Sequence, residues 1–574
     1  MKRFILLLAI VALTGGVGYF FMVQPQAPDL LELVPGESVA VVDWRSPADS
    51  YQAFMKTYFG RQISGIDRPL ILSALGFSPD TSEQIGGVTA TWETFSGSLF
   101  FKEFFGSRTV VALLPLKKSG PDISAALLNN LVLLNTSGRK TALLQTLVAG
   151  LSGVQKLPAS KYQGYTIHGY LLNNTFPLYF VSDKELLVAA FDPAPIRQCL
   201  DLLLARIIQK GGGMADNAEY VELKQRARAL DDFFLYVDIV PLKGLIQNLN
   251  GQKTITTATN ISSAGAMQRG VRKAVFFHQA LQPIHQFTTI VRFDASILSS
   301  FQKRIYIRPP IENRKLANMP ANLQVYFWSN WLDLPAWWKK TRENASKTDI
   351  ERADRLAEFV DSNLGMKMDD FLALFGQQVG LDIKEIKFSG FFPVPRICFC
   401  VEVNDREQVQ ILLEKMVADV PVHRAMVAGV PVVSVLAAGG LMQPSYALLN
   451  EYLLLADGRD QIEDILKPTE AMLIRDPVFL KLDMGLQQAN NLVFFARAAQ
   501  LIQGLKELAS WLGTIIAIRD EQAGSRSKIL VDQAVIPLLD GLTMIKAGAV
   551  RSYTGPGEIV LQSTILMTEE LDKK

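Results

Sequence analysis

The stretch that decides the fold runs from Phe104 to Asp192, because its landmarks recur later in the chain. It opens with FGSRTVVAL at residues 105–113, and FGQQVGLD stands at residues 375–382. It closes with DKELLVAA at residues 183–190, and NEYLLLA stands at residues 450–456. The two landmarks recur in the same order, which indicates that one folding unit is present twice.

Two further landmarks flank this stretch in the same order. An apolar strand pattern precedes it at residues 39–44 and returns at residues 323–328, and another follows it at residues 233–237 and returns at residues 492–495. The spacing between copies shortens gradually along the chain, as small insertions and deletions in loops would produce. The aligned pairs are Trp44 with Trp328, Gly106 with Gly376, Lys184 with Glu451, and Phe233 with Leu492.

The sequence therefore predicts a tandem duplication with two modules, residues 35–294 and residues 320–568. Residues 295–319 are the predicted linker, since the consecutive prolines Pro309-Pro310 favour extended chain. Residues 569–574 are a charged tail. Two copies of this size predict a pseudo-symmetric pair and not a solenoid, whose repeats are about 20–50 residues long.

Strands and helices are mixed inside each predicted module. Residues 405–420 have apolar side chains at helical spacing behind Asn404 or Asp405 as cap, and residues 348–351 form a capping box ahead of a helix that ends at Gly365. Short turns separate the strands, which indicates antiparallel pairing because parallel strands need longer crossovers. The predicted class is α+β, with helices packed on largely antiparallel sheets and one transmembrane helix in front.

The first 24 residues predict a membrane anchor. Met1-Lys2-Arg3 precedes an uncharged run at residues 4–23, which at about 1.5 Å per residue covers about 30 Å, the thickness of the hydrocarbon layer. Basic residues before the run predict a cytoplasmic N terminus, with the tether at residues 25–34 and everything beyond it translocated. Two alternatives stay open: a cleaved signal peptide with its exit at Thr14-Gly15-Gly16, and a buried soluble helix.

The charge balance and the cysteines bound the class of protein. The chain has 574 residues, of which 58 are Lys or Arg and 56 are Asp or Glu, for a net charge of +2. No excess of cations is present to neutralise a phosphate backbone, so no nucleic-acid partner is predicted. Cys199, Cys398 and Cys400 allow one disulfide at most. Cys398 and Cys400 share one face of a strand, which predicts core packing.

Motifs for catalysis and metal binding give a negative prediction. The sequence contains no HExxH, no GxxxxGK[ST] and no GxSxG. His278 and His285 are expected to face each other across a hairpin as a cross-strand polar pair. Ser137 and Ser525 each begin an SxxK match, but the KTG motif of serine acyl-enzymes is missing. The prediction is a non-enzyme with no catalytic residue, no cofactor and no metal site.

A cluster of four tryptophans between residues 328 and 338, followed by Lys339-Lys340, has two interpretations. Aromatic rings beside basic side chains suit the headgroup layer of a membrane. Trp328 and Trp338, however, align with aromatic residues of the first copy, which favours repeated core positions.

The second copy differs from the first in a long apolar segment. Its helices either cover the sheet of their own module or present a groove or a face for a partner. A second membrane span is not predicted, because the uncharged run at residues 508–518 has only eleven residues and a span needs about 20. The candidate apolar binding face consists of Leu501, Leu505, Leu508, Leu512 and Ile515.

The opening Val34-Pro35-Gly36-Glu37-Ser38-Val39, the N-terminal membrane segment and the duplicated α+β modules resemble an uncharacterised family of bacterial envelope proteins, a domain of unknown function. The resemblance covers most of residues 34–568 and implies location and architecture, with no catalytic residues. We therefore expect a single-pass protein of the bacterial inner membrane, anchored through residues 4–23 with its body in the periplasm. Its expected role is that of a non-catalytic binding or scaffold protein for another envelope protein. The alternative is a periplasmic carrier or chaperone for a lipid or other apolar ligand, and a more distant one is an envelope hydrolase.

Overall fold

A computed structural model gives the fold, and the chain divides into two compact units. Unit one combines the chain up to Ala48 with Leu99–Arg226, and unit two combines Asp49–Ser98 with the chain from Ala227 onward. The structure describes residues 29–115, 123–138, 154–172, 176–207, 211–227, 232–242, 270–343, 346–389, 392–437, 442–467 and 471–568.

Twenty strands lie in the described part of the chain. They are β1 Ala40–Trp44, β2 Thr109–Leu113, β3 Leu131–Asn135, β4 Val154–Tyr162, β5 Tyr165–Leu172, β6 Phe176–Asp183, β7 Leu186–Ala190, β8 Phe233–Asp238, β9 Val271–Leu281, β10 Ile284–Phe293, β11 Val325–Ser329, β12 Phe375–Ser389, β13 Phe392–Val403, β14 Val422–Val427, β15 Val430–Val435, β16 Ser445–Leu448, β17 Tyr452–Ala456, β18 Leu492–Arg497, β19 Ile545–Gly555 and β20 Glu558–Met567.

The α-helices of the described residues lie between these strands, singly or in succession. They are α1 Pro47–Lys56, α2 Tyr58–Ser64, α3 Arg68–Ala74, α4 Pro79–Ser96, α5 Leu99–Phe105, α6 Ile123–Asn129, α7 Pro193–Ile207, α8 Ala218–Arg226, α9 Ser300–Tyr306, α10 Leu334–Glu343, α11 Lys347–Leu364, α12 Met368–Ala373, α13 Arg406–Met416, α14 Arg459–Leu466, α15 Pro477–Leu482, α16 Ala498–Arg519, α17 Glu521–Leu530 and α18 Ile536–Leu542.

Unit one is built on a seven-stranded antiparallel sheet in the order β1-β2-β3-β7-β6-β5-β4. Gln163 and Gly164 join β4 to β5 with φ angles of 51° and 86°, and such left-handed pairs are what a two-residue hairpin requires. Val110 and Val188 are buried in the middle of the sheet, and α7 lies against β6 and β7 with Leu200 buried. Apolar alternation along short strands thus produces the core of this unit.

Unit two contains a thirteen-stranded antiparallel sheet in the order β14-β15-β16-β17-β13-β12-β11-β18-β19-β20-β10-β9-β8. Strands β10 and β20 pair from Ile284 opposite Leu566 to Arg292 opposite Glu558. Trp328 of β11 is fully buried in an apolar core between this sheet and α15. The predicted α+β class with largely antiparallel pairing is confirmed.

Helices from two distant parts of the sequence pack together in unit two. We call α2, α3, α4, α16, α17 and α18 the helical layer. Helix α18 packs on α2, where a Cβ on Gly541 would lie only 2.4 Å from Cδ2 of Phe59, and α3 packs on α17. Helices α16 and α17 form a hairpin. The layer therefore joins residues 58–96 to residues 498–542.

The predicted capping box at residues 348–351 is wrong. Helix α11 begins two residues earlier, because the hydroxyl of Ser346 accepts a hydrogen bond from the backbone N–H of Asp349. Thr348 lies inside the first turn. The predicted end at Gly365 is confirmed, since Gly365 adopts the left-handed conformation at a φ of 70°.

Helix α13 also differs from its predicted form. The start of α13 is as predicted, because the Asp405 carboxylate accepts a hydrogen bond from the backbone N–H of Gln408 at 3.0 Å. The helix ends at Met416 and not at Val420, so apolar residues continue at helical spacing beyond the end of the helix. The stretch at residues 295–319 contains α9 and a 3-10 turn at Arg314–Asn318.

One described helix, α16, is long and apolar enough to cross a membrane by length and composition. A single such helix is weak support for a span, because helices of soluble cores pass the same test. The helix has 22 residues, twice the length of its uncharged run. The predicted anchor at residues 4–23 lies outside the described residues.

Candidate functional site

Helix α16, which directly follows β18, carries the apolar face predicted from the sequence. Only Lys506, Glu507 and Arg519 are charged among its 22 residues. The next residue, Asp520, ends the helix, and its carboxylate accepts a hydrogen bond from the backbone N–H of Gln522 at 2.9 Å. This cap starts α17 and turns the chain back along α16.

Glycines lie where α16 packs closely on its neighbours. A Cβ on Gly524 of α17 would lie 2.3 Å from Cα of Ala517, so the two backbones are in direct contact there. Near its start, α16 lies on β12, where a Cβ on Gly504 would lie 3.0 Å from Cδ1 of Ile386. The helix thus covers part of the sheet, and it also packs on α17 and α18.

Another side of α16 is left uncovered. Leu505, Leu512 and Ile516 are 36%, 46% and 39% exposed, and we call these three residues the apolar stripe. At about 100° per residue they lie within a sector of about 40°. The opposite side of the helix is exposed and mostly polar, through Gln503, Glu507, Ser510 and Thr514, but near its end it also carries Ile518, which is 72% exposed.

The structure divides the predicted binding face into two parts. Leu505 and Leu512 belong to the apolar stripe, and the binding role of the predicted face stays a prediction. Ile516 was missed, although its position four residues after Leu512 puts it on the same helix face. The predicted residues that are partly buried beside the stripe are Leu501, Leu508 and Ile515.

Further apolar side chains are exposed elsewhere in the helical layer. Leu75 and Phe77, in the turn between α3 and α4, are 56% and 48% exposed on either side of Gly76. Because α3 packs on α17, this turn belongs to the same body as the apolar stripe. Leu75 and Phe77 are thus two further exposed apolar side chains of the helical layer.

The helical layer has no excess of basic side chains. Residues 58–96 and 498–542 together contain six basic and nine acidic side chains. Lys506 of α16 forms an ion pair with Asp540 of α18, and Nη1 of Arg68 lies 2.8 Å from Oε1 of Glu93. Apolar surface, and not a cationic patch, therefore dominates the chemistry of this layer.

A second apolar site lies beside α13 in unit two. A cavity of about 410 Å³ opens between the C-terminal half of α13 and strands β13, β15, β16 and β17. Met416 and Val420, which belong to the apolar face at helical spacing over residues 405–420, are 59% and 39% exposed and line it. The lining also includes Ile397, Leu413, Val417, Val435, Tyr446, Leu455 and Asp457.

Two opposite charges are buried together in unit two. Nζ of Lys315 lies 2.9 Å from Oδ2 of Asp382 on β12. Burial opposes the charge on Lys315, but the Asp382 carboxylate, together with Cys400, Tyr326 and Cys398, outweighs it and raises the pKa of Lys315. Burial also raises the pKa of Asp382, whose Oδ1 accepts no hydrogen bond from the described residues. No local pattern relates the two residues of this pair, because they are 67 positions apart.

The cysteines are packed as core side chains, as predicted. Cys398 and Cys400 are each 1% exposed on one face of β13, and Cys199 is buried in α7. Burial raises the pKa of Cys398 and of Cys199 to about 12 in each case, so both thiols stay protonated and weakly nucleophilic. Among the residues that the structure describes, no group of three or more His, Cys, Asp and Glu side chains is placed to hold a metal ion.

The two histidines of the β9–β10 hairpin face each other, as predicted. Nε2 of His278 lies 3.0 Å from Nδ1 of His285, and the rings stack with centroids 5.2 Å apart. Burial lowers the pKa of both side chains, and His285 lowers that of His278 further, while Asp232 opposes both shifts.

The serines of the two SxxK matches lie in different surroundings. Ser137 is buried, and its hydroxyl donates to Oδ1 of Asn135 at 2.5 Å. Ser525 is exposed on α17, as is Lys528. Lys140 of the first match lies outside the described residues.

Two of the four residues in the tryptophan cluster are core residues. Trp328 and Trp338 are 1% and 9% exposed, which confirms the core interpretation for these two. Trp337 is 57% exposed. The guanidinium of Arg342 lies over the ring of Trp338, 5.7 Å from its centroid.

Comparison with known proteins gives little. No protein-family model and no curated protein matches the chain. Crystal form III of TP0453 is similar over 49% of this chain and 85% of its own, with a TM-score of 0.27 and 8% identity. Crystal form IV of TP0453 covers 46% and 81%, with a TM-score of 0.25 and 9% identity. At these scores the likeness supports no statement about fold or function.

Proposed function

We propose that the chain is a membrane-anchored binding protein of the bacterial envelope that acts without catalysis. The observation that carries the proposal is the apolar stripe, which stays exposed although α16 packs closely on its other side. Exposed apolar surface of this kind marks an interaction site. The buried Lys315 and Asp382 bond to each other, which suits a structural role.

A direct test is photo-crosslinking in intact envelopes. A photoreactive amino acid at Leu512, on the stripe, is expected to form an adduct with a neighbouring envelope component. The same amino acid at Thr514, on the polar side of the same helix turn, is the matched control and is expected to react with water. Equal adduct formation at both positions contradicts a binding role for the stripe.

The proposed location is the inner membrane, with the body in the periplasm. Lys2 and Arg3 followed by the uncharged residues 4–23 support this topology. Protease added to intact spheroplasts is expected to degrade the body of the protein. Recovery of the intact chain from the cytosol contradicts the topology. The resemblance to an uncharacterised family of bacterial envelope proteins, which residues 34–39 carry in part, belongs to this same proposal.

A carrier for a lipid or other apolar ligand is the second candidate, because the cavity beside α13 is almost wholly apolar and has a volume in the usual range of ligand sites. Organic extraction of the purified protein, followed by mass spectrometry, separates the candidates. Stoichiometric lipid supports the carrier, and an empty protein supports the binding protein. An envelope hydrolase is the distant third, and Ser137→Ala with Ser525→Ala eliminates it if the variant still complements a deletion strain.

An internal duplication forms part of the proposal, and the strand orders support it. The order β1-β2-β3-β7-β6-β5-β4 in unit one is the order β11-β12-β13-β17-β16-β15-β14 in unit two. Strands β8-β9-β10 and β18-β19-β20 are both meanders. The turns Gln163-Gly164 and Ala428-Gly429 have the same pair of positive φ angles.

The strand registers refine the alignment between the proposed copies. Val110 pairs with Asp43 and with Leu134 in unit one. Gly380 pairs with Trp328 and with Cys400 in unit two. If Val110 matches Gly380, as the Phe-Gly landmark requires, then Trp328 matches Asp43 and not its neighbour Trp44. Both Asp43 and Trp328 are buried, whereas Trp44 is only partly buried, so burial favours this one-residue correction.

A further inference from the structure

We infer that the occupant of the apolar stripe is the acyl layer of a lipid bilayer, with the second half of α16 lying along the membrane surface. This inference names the partner of the proposed binding face and therefore rests on the proposed function. It concerns the geometry of Leu505, Leu512 and Ile516 and is independent of the cavity beside α13.

The length and the end of α16 decide how the helix meets a bilayer. Residues 508–518 are uncharged over eleven positions, or about 16 Å, and the hydrocarbon layer is about 30 Å thick. Arg519, Asp520 and Glu521 follow directly and are exposed. Insertion with this end first would carry three charged side chains into hydrocarbon, which is costly. A position in the plane of the interface avoids that cost.

The distribution of side chains around α16 suits the in-plane position. The apolar stripe occupies one sector, and Ser510 and Thr514 lie on the opposite side of the helix, where the exposed Ile518 stands beside Arg519 in the last turn. A helix of this kind buries its apolar side about 5–10 Å into the boundary between headgroups and acyl chains, with its polar side in water. Gly524 fixes α17 against a different side of α16, so the hairpin leaves the stripe free.

The helical layer has no excess of cations, so apolar contact is the available driving force for either a lipid or a protein occupant. The position of the chain favours lipid. The 28 residues that precede the described chain include the uncharged run at residues 4–23, which is long enough to cross a bilayer. That run would hold the chain at a membrane, where hydrocarbon is the nearest apolar phase.

The test places a fluorophore on each side of one helix. Full-length Leu512→Cys and Ser510→Cys variants are labelled with a polarity-sensitive dye and reconstituted into phosphatidylcholine vesicles. The native cysteines are buried and leave the new thiol as the reactive one. Because the stripe is expected about 5–10 Å deep, a nitroxide on the lipid acyl chains should quench the dye at position 512 at least about twofold more than at position 510. Aqueous iodide should show the reverse preference.

Each outcome decides one point. If the chain does not float with the vesicles, the proposed anchoring through residues 4–23 is contradicted. That failure is not attributed to the apolar stripe, because the anchor and not the stripe is proposed to hold the chain at the membrane. A chain that floats but shows equal quenching at the two positions overturns the inference. Disulfide cross-linking between two chains through position 512 also overturns it, because a second copy then covers the stripe. Ile516→Cys repeats the measurement on the stripe, so the result does not depend on one variant.

Discussion

Nζ of Lys315 lies 2.9 Å from Oδ2 of Asp382, and both side chains are buried in unit two. The approach depends on Gly380, because a Cβ at that position would lie only 3.0 Å from the same nitrogen. A buried ion pair that loses one partner leaves an uncompensated charge in a medium of low polarity. The pair is therefore a point where a single substitution has a large effect.

We expect Lys315→Met to lower the unfolding free energy of unit two by about 3–5 kcal/mol, because Asp382 would be left charged and unpaired. The double variant Lys315→Met with Asp382→Leu should lose much less, since neither charge remains. Urea unfolding followed by tryptophan fluorescence measures the difference, because Trp328 is buried in the same unit.

The matched control for this experiment is an exposed ion pair of the same unit. Nζ of Lys340 lies 3.4 Å from Oε2 of Glu343 on α10, with 36% and 51% of the two side chains exposed. Lys340→Met should change stability by less than about 1 kcal/mol, as is usual for surface pairs. A loss for Lys315→Met no larger than this would mean that Asp382 is protonated or hydrated in the folded protein.

The stacked histidines predict a pH dependence. The folded-state pKa of His278 and of His285 is lowered, mainly by burial, so the unfolded chain takes up protons first when the pH falls. The stability that this difference contributes is complete above the unfolded pKa of about 6.5 and decreases as the pH falls through it towards the folded value. Urea unfolding at a series of pH values between 8 and 5, on the order of half a unit apart, measures this slope.

The histidine prediction is checked by removing the pair. The double variant His278→Gln with His285→Gln should lose less stability between neutral and acidic pH than the unaltered protein. His423→Gln, at an exposed position on β14, is the control and should leave the slope unchanged. An unchanged slope in the double variant would contradict the assigned cause.

The sequence predicts local features of this fold better than distant contacts. Short turns between strands indicate antiparallel pairing, and Gly365 marks the end of α11. The helical layer was not predictable in this way, because the contact between Phe59 and Gly541 joins positions that no local pattern relates. For the same reason, the sequence did not predict that each unit combines two separate segments of the chain.

In the candidate site, too, the local features were predictable from the sequence and the distant contacts were not. Helical spacing identified Leu505 and Leu512 as members of one apolar face, and that is a local property of the chain. Their exposure depends on which side of α16 the hairpin with α17 covers. The close approach at Gly524 decides that, and a glycine inside a helical pattern does not by itself predict a packing contact.

The cap of α11 offers a test of a wrong prediction. Ser346→Ala should lower the stability of this helix by about 1 kcal/mol, because the hydroxyl satisfies an N–H group that has no partner within the helix. Thr348→Ala, two residues later, should change it little. Hydrogen exchange of the first turn of α11 measures both. A larger effect at Thr348 would support the capping box that the sequence suggested.

The hairpin of α16 and α17 gives a prediction in which the sign of the effect is informative. Gly→Ala inside a helix normally stabilises it by about 0.5–1 kcal/mol. At Gly524 the added Cβ would lie 2.3 Å from Cα of Ala517, so the helices must separate. Gly524→Ala should therefore destabilise the hairpin by about 1–3 kcal/mol, the usual cost of overpacking.

Gly87 in α4 provides the matched control, because a Cβ there would meet no atom within 4 Å. Gly87→Ala should stabilise α4 by the normal amount, about 0.5–1 kcal/mol. Hydrogen exchange of peptides from α4, α16 and α17 reports both effects locally, which matters because a chain of two units need not unfold in one step. Faster exchange in α16 and α17 for Gly524→Ala, with slower exchange in α4 for Gly87→Ala, is the expected pair of results. Stabilisation by both substitutions would mean that α16 and α17 do not touch at this point, and the orientation of the apolar stripe would then have to be assigned anew.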